Sequence, residues 1–188
     1  MSNKKKQEKF LGLLEGVNDS LFMYARALES SVEDAEDLLS DTILAAYEKF
    51  DTIIDYSGFK GYIFKTARSI FRQKYRRSWL FGKFDEQKAE NIVLNDFSPD
   101  LPVDIQILYN ALETLPEKQK EAVVLFEISG FSLIEIKELQ GGTLSAVKSR
   151  VKRGREKLTE ILVHQDKFYR REKLTEIYEP FVNGIENE

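Results

Sequence analysis

Two stretches of the chain concentrate positive charge in an otherwise acidic sequence. Residues 143–158, TLSAVKSRVKRGREKL, contain six Lys or Arg and one Glu, and residues 56–84 contain eight Lys or Arg with no Asp or Glu. The rest of the chain holds 14 basic against 31 acidic side chains, within a formal net charge of -4. Such sorting is typical of surfaces that meet phosphates, although a solvated helix face also produces it.

The stretch 143–158 has the spacing of a helix with a cationic outer face. In a helix that begins near Ser145, Val147 and Val151 point toward a core. Arg pairs with guanine edges, Ser bonds to bases or phosphates, and Lys neutralises the DNA backbone. The outer face carries four side chains of these types, which suit a major groove: Lys148, Ser149, Lys152 and Arg153.

The residues before this helix predict the element that positions it. Ser132 and Glu135 have capping-box spacing at the start of a short helix that runs to Leu139. Two glycines then form a tight turn, and Thr143 or Ser145 caps the basic helix. A short helix, a glycine turn and a longer basic helix together predict a helix-turn-helix.

The stretch 56–84 interleaves its charges with aromatic side chains, which predicts a different chemistry. Aromatic rings stack on unpaired bases while Lys and Arg follow the phosphates of a single strand. A helix predicted from about Gly58 to Arg77 places Lys65, Arg68 and Arg72 outward. Since that helix also needs an apolar side, several of its residues are expected to be core instead: Tyr62, Phe64, Ala67, Ile70 and Phe71.

The chain divides into two helical lobes, so the predicted fold class is all-α with two small domains. Apolar periodicity predicts a helix over 31–51, capped by Ser31, and a partner helix over 10–28. NDFSPDLPVD brings together two of the four prolines and three Asp, which indicates a linker. The predicted divisions are a first domain (1–78), an acidic linker (79–104), a helix-turn-helix domain (105–163) and a C-terminal extension without an assigned role (164–188).

Composition argues against several classes of function. The chain has no Cys and one His, His164, which excludes a thiolate nucleophile and a Cys-based zinc site. No His, Cys or Gly-rich phosphate loop accompanies the many carboxylates, so we predict no catalytic residue, no metal, no cofactor and no enzymatic activity. No apolar run approaches the roughly 20 residues that cross a bilayer, so we expect a cytoplasmic protein without membrane insertion.

Three segments, in this order and spacing, resemble the extracytoplasmic-function (ECF) group of bacterial sigma factors. They are EDAEDLLSDTILAAYEKF, GFKGYIFKTARSIFRQKYRR and LPEKQKEAVVLFEISGFSLIEIKELQGGTLSAVKSRVKRGREKL, and the resemblance extends over residues 8–163. It implies a subunit that binds core RNA polymerase and directs promoter recognition and transcription initiation. The implied partners are the beta-prime clamp and beta flap of the polymerase, promoter DNA and an anti-sigma factor.

The resemblance also implies a role for particular residues. Contact with the clamp falls on Asp37, Leu38, Ser40 and Asp41, for which an ordinary solvated acidic face is the alternative. The loop and helix that open the -10 element correspond to Tyr56, Ser57, Phe59, Lys60, Tyr62, Lys65, Arg68, Ser69 and Arg72. The recognition helix for the -35 element presents Lys148, Ser149, Lys152 and Arg153. The acidic linker takes the place of the family segment that threads the RNA exit path, either as an RNA mimic or as a solvated tether.

Two departures from the family pattern leave the strength of -35 recognition open. Lys137 stands where relatives have a small Ala, and Gly142 replaces an apolar turn residue. They motivate a rival hypothesis, a sigma mimic that binds an anti-sigma factor without reading DNA. A further rival is a conventional helix-turn-helix repressor, which would bind duplex DNA tightly on its own.

Overall fold

The computed structural model describes residues 3–29, 31–80 and 103–182, and the regular structure in these ranges is helical. The first lobe contains α1 (Asn3–Glu15), α2 (Asn18–Leu28), α3 (Val32–Glu48) and α4 (Phe59–Leu80), with 3-10 turns at Phe50–Thr52 and Tyr56–Gly58. The second lobe contains α5 (Val103–Glu113), α6 (Glu117–Val123), a π turn (Val124–Ile128), α7 (Leu133–Gln140) and α8 (Leu144–Val182). Most of the predicted acidic linker lies outside the described residues. None of the helices in these ranges is long and apolar enough to cross a membrane.

The first lobe is built around α3, whose start and buried face agree with the sequence pattern. The Asp34 backbone N–H donates to the Ser31 hydroxyl at 3.0 Å, so Ser31 is the N-cap, as predicted. Below α3, three Phe rings form an edge-to-face cluster, with Phe10 lying 5.2 Å from Phe50 and 5.7 Å from Phe59. Edge-to-face rings stabilise beyond their area of burial, so this cluster ties α1 to the start of α4.

The helix predicted over 10–28 is two helices, which corrects that prediction. The break lies at Gly16 and Val17, where the Val17 N–H bonds back to the Leu14 carbonyl at 2.9 Å. The helical spacing of apolar residues continues across the break, since Leu14 before it and Leu21 after it are both buried. Periodicity alone therefore could not show where the backbone changes direction.

The second lobe contains the predicted helix-turn-helix, with α7 and α8 as its two helices. Ser132 and Glu135 form the reciprocal capping box at the start of α7. Thr143 caps α8, because its hydroxyl accepts the Ala146 N–H at 3.1 Å. α8 packs closely on α6 at Gly154, where a β-carbon would lie 2.5 Å from a methyl group of Val123.

The two lobes pack on each other, a contact that the sequence did not predict. The Phe64 ring of α4 meets Phe131 of the second lobe edge-on, with 4.8 Å between ring centroids. The Arg26 guanidinium of α2 lies 5.0 Å from the Tyr109 ring of α5. Both Phe rings are buried, so the described residues share one continuous core.

Candidate nucleic-acid interface

The recognition-helix residues predicted on α8 lie on one solvent-exposed face. Val147 and Val151 are buried against the second lobe, which turns the opposite side of the helix to water. Lys152 approaches Glu156 at 3.8 Å, but both side chains remain more than 60% exposed, so the pair restrains the cation weakly. The exposed set contains all four predicted residues: Lys148, Ser149, Lys152 and Arg153.

The turn before this helix is held by Arg150, a residue to which the sequence analysis gave no role. Its guanidinium donates to the Gln140 side-chain oxygen at 2.9 Å and lies 3.4 Å from the Gly141 carbonyl. Gly141 and Gly142 have φ of 75° and 95°, a backbone region that favours glycine. The glycine at 142 therefore suits the positive φ of this turn. The side chain of Lys137 is exposed.

The predicted -10 residues of α4 divide between the surface and the contact with the second lobe. Lys65, Ser69 and Arg72 are exposed and stand along one side of the helix. They line a cavity of about 1000 Å³ that α6 and α7 close from the other side through Glu117 and Leu139. These three side chains are therefore accessible to an anionic ligand.

Arg68 belongs to the same row, but its guanidinium is engaged by the second lobe. Its Nε donates to Glu121 Oε1 at 2.6 Å, and its Nη1 donates to the Leu139 carbonyl at 2.9 Å. The Glu121 side chain is 4% exposed and the Arg68 side chain 15% exposed, so water screens this pair little. In this arrangement Arg68 faces protein, and not solvent as the sequence predicts.

Glu121 is the centre of a buried polar cluster. The Tyr24 hydroxyl donates to Oε1 at 2.8 Å, and the Gln140 amide donates to Oε2 at 2.8 Å. Burial, and then the negative charge of Glu121, raises the pKa of Tyr24 well above its ordinary value. With Arg68, three donors therefore satisfy one carboxylate that would otherwise be costly to bury.

Two further predicted -10 residues do not lie free on the surface. Phe59 is 2% exposed and packs in the Phe cluster of the first lobe, so its assignment as a strand contact is corrected to a core residue. Lys60 places its ammonium 4.6 Å from the Phe131 ring, which is a cation–π contact with the second lobe. Tyr62 is half-buried.

The loop between α3 and α4 is shaped by Asp55. Its carboxylate accepts the Ser57 backbone N–H at 2.9 Å and the Ser57 hydroxyl at 2.6 Å. These two hydrogen bonds lower the pKa of Asp55. The Tyr56 ring leans on Phe50 at 5.1 Å, with the Lys9 ammonium 3.6 Å above it. Ser57 is exposed and Tyr56 half-buried, so the loop presents a polar edge and part of an aromatic ring.

The predicted clamp residues lie on α3, and three of the four face solvent. Asp37, Ser40 and Asp41 are exposed. Leu38 is 2% exposed and belongs to the core of the first lobe, so its assignment to the docking face is corrected. Leu44, which the sequence analysis did not select, is 59% exposed one turn beyond Asp41. The signal was present in the sequence, because Leu44 shares a helix face with Asp37 and Asp41 and lies outside the apolar stripe of α3.

Sequence reasoning also missed Glu121. The signal was present, because the residue lies four positions before Leu125, on the apolar side of its helix. A carboxylate at such a position indicates a buried partner.

Comparisons with known proteins agree with these two lobes. The family model for Sigma-70 region 2 matches residues 7–81, and the model for Sigma-70 region 4 matches residues 105–158. Together they cover more than half of the chain. The first match contains α4 and the second contains the helix-turn-helix.

Similar proteins and structures carry related names. The chain is 28% identical to the ECF RNA polymerase sigma factor EcfG of Rhodopseudomonas palustris, over 76% of this chain and 79% of that protein. It is 25% identical to the ECF RNA polymerase sigma factor SigW of Bacillus subtilis, over 82% and 89%. The sigma factor RpoE of Bartonella quintana, solved with the anti-sigma factor NepR, is similar with a TM-score of 0.66 and 29% identity, over 85% of this chain and 97% of that one. The chain therefore belongs to the extracytoplasmic-function group of the sigma-70 family.

Proposed function

We propose that this protein is a dissociable sigma subunit that binds core RNA polymerase and directs promoter recognition and transcription initiation. The observation that carries the proposal is the pairing of two matched sigma regions with two cationic surfaces, one on α4 and one on α8. The polymerase performs the nucleotide chemistry, so the chain acts as a specificity factor in the cytoplasm and not as an enzyme.

Each lobe has a separate task in this proposal. The exposed face of α8 enters the major groove at the -35 element, where Arg153 and Ser149 contact base edges and Lys148 and Lys152 contact phosphates. α4 and the loop before it hold the melted -10 strand, with Lys65, Ser69 and Arg72 along the strand and Ser57 at the loop. Unstacking a base costs a few kcal/mol, which contacts in the complete polymerase complex offset.

Protein partners meet the acidic surfaces. The exposed residues Asp37, Ser40 and Asp41 on α3 contact the beta-prime clamp, and the second lobe contacts the beta flap. An anti-sigma factor is a further partner, which the complex of RpoE with NepR supports by similarity. We also propose that the two domains end near residues 78 and 163, and the ends of the two family matches, at residues 81 and 158, support these bounds.

Transcription in a purified system tests the proposal. Core polymerase is incubated with fragments of the genome that encodes the chain, with and without the protein, and the transcript starts are mapped. We expect starts that require the protein and share an upstream sequence motif. Failure with every fragment, while the protein captures an anti-sigma factor, would support the sigma mimic. Tight binding of duplex by the isolated protein without any gain in transcription would support the repressor.

A further inference from the structure

The carboxylate of Glu121 binds the guanidinium of Arg68, a residue assigned to the -10 strand. Arg68 lies on α4 between Lys65 and Arg72, in the row of cations assigned to the melted strand. Of these three, Arg68 alone is held at its Nε by a carboxylate from the second lobe, at 2.6 Å. A second bond to the Leu139 carbonyl, at 2.9 Å, uses another of its donors.

Carboxylate and phosphate are interchangeable partners for a guanidinium. Both offer anionic oxygens that accept charge-assisted hydrogen bonds from Arg. Arg68 cannot donate the same Nε–H fully to Glu121 and to a strand phosphate. Its side chain is only 15% exposed, so a strand has little access to the other N–H groups of the guanidinium, and Glu121 weakens the contact that a phosphate could make. Glu121 is also well supported for this role, because Tyr24 and Gln140 fix its two oxygens.

Other residues on the same face of α4 also contact the second lobe. Lys60, another predicted strand residue, lies against Phe131, and Phe131 packs on Phe64. The strand face of α4 is therefore partly covered by the lobe that supplies Glu121. Freeing Arg68 requires that lobe to move away.

We propose that Glu121 is an intramolecular competitor of single-stranded DNA, which holds the free protein in a closed state with a weakened strand-binding face. Separation of the lobes then releases Arg68 for a phosphate. The proposal rests on the proposed function, because it assigns a regulation to the same strand-binding face.

The test uses Glu121→Gln, which keeps the shape of the side chain and removes its charge. Glu117→Gln is the matched control, because Glu117 is an exposed carboxylate one turn away on α6 that lines the same cavity. Arg68→Gln removes the other partner of the Arg68–Glu121 ion pair, which we call the latch. The chain has no Cys, so Glu48→Cys on α3 and Glu160→Cys on α8 accept a dye pair that reports the distance between the lobes.

Two quantities are measured on the full-length protein: energy transfer between the dyes, and affinity for a random-sequence single-stranded oligonucleotide by fluorescence anisotropy. Glu121→Gln is expected to lower energy transfer and to bind the oligonucleotide at least about fivefold more tightly, which is the low end of typical coupling between two sites. Arg68→Gln is expected to lower energy transfer without any gain in affinity, because the ligand of the phosphate is lost. Glu117→Gln should leave energy transfer unchanged.

The proposal is overturned if Glu121→Gln leaves energy transfer unchanged, or if Glu117→Gln raises affinity by the same factor, which would be a general effect of charge. It is also overturned if Glu121→Gln opens the lobes and binds the oligonucleotide no more tightly. Circular dichroism of each variant shows whether it is folded, and Arg68→Gln tests the latch if Glu121→Gln is not. Neither measurement uses transcription. The proposal about Glu121 can therefore be wrong while the proposed sigma function is right, and the reverse.

Discussion

At the scale of single residues, the sequence predicted which side chains of α8 face outward better than it did for α4. Lys148, Ser149, Lys152 and Arg153 are all exposed, because the spacing of Val147 and Val151 fixes the buried side of one helix. On α4 the same reasoning failed for Arg68, and the role that the resemblance implies for Phe59 falls on a core residue. Helical spacing shows that a side chain points away from its own core, but not whether water or a second lobe lies there. It also does not show that Phe59, at the start of α4, packs with Phe10 and Phe50.

The first prediction separates reading of bases from binding of phosphates on α8. Arg153→Ala is expected to weaken binding of the polymerase complex to a promoter that requires the protein by about 1 to 3 kcal/mol and to relax preference at one -35 position. Lys152→Ala should weaken all promoters alike and reduce the slope of log affinity against log salt concentration by about one. Promoter variants and a salt series in the purified system measure both.

Lys118→Ala is the control for these variants. It removes the same charge from an exposed position of the same lobe, on α6 and not on α8. We expect no change in promoter preference. An equal loss for Lys118→Ala and Arg153→Ala would contradict the assignment of the groove-facing side.

At the scale of elements, caps and turns were predicted well, since each depends on a few neighbouring residues. Ser31, the Ser132–Glu135 box and the cap of α8 by Thr143 are all present. The break between α1 and α2 and the π turn after α6 were missed. Neither interrupts the apolar period enough to be visible in the sequence.

The second prediction concerns the capping box of α7. Ser132→Ala removes the hydroxyl that accepts the Glu135 N–H and should lower the free energy of unfolding by about 1 kcal/mol. Ser145→Ala is the matched control, because Ser145 lies inside the first turn of α8 and Thr143 supplies the cap there. Urea unfolding of both variants checks this, and equal losses would contradict the role of the box.

The third prediction compares two glycines in helices. Gly154→Ala drives a β-carbon into Val123 at the contact of α6 and α8 and should destabilise by about 1 to 3 kcal/mol. Gly12→Ala meets nothing within 4 Å in α1 and should stabilise by about 0.5 to 1 kcal/mol. Urea unfolding gives both values. A stabilising Gly154→Ala would mean that the two helices are not in close contact.

At the scale of the whole molecule, the division into two lobes could be predicted but not how they meet. Proline and Asp content indicated the linker, and the matched sigma regions fall on either side of it. The contact between the lobes depends on residues such as Phe64, Phe131 and Glu121, which are ordinary members of their own helices in sequence. The contact between the lobes therefore depends on residues far apart in the chain, and nothing in a single sequence shows which of them meet.

Photo-crosslinking in the open promoter complex tests directly whether the two lobes contact different parts of the promoter. A photoreactive amino acid is placed at position 69 on α4, at position 149 on α8 and at position 40 on α3, all of which are exposed. We expect position 69 to label one melted strand of the -10 element, position 149 to label duplex at the -35 element, and position 40 to label the polymerase. Labelling of the same duplex segment from positions 69 and 149, or of no DNA in a complex that transcribes, would contradict this expectation.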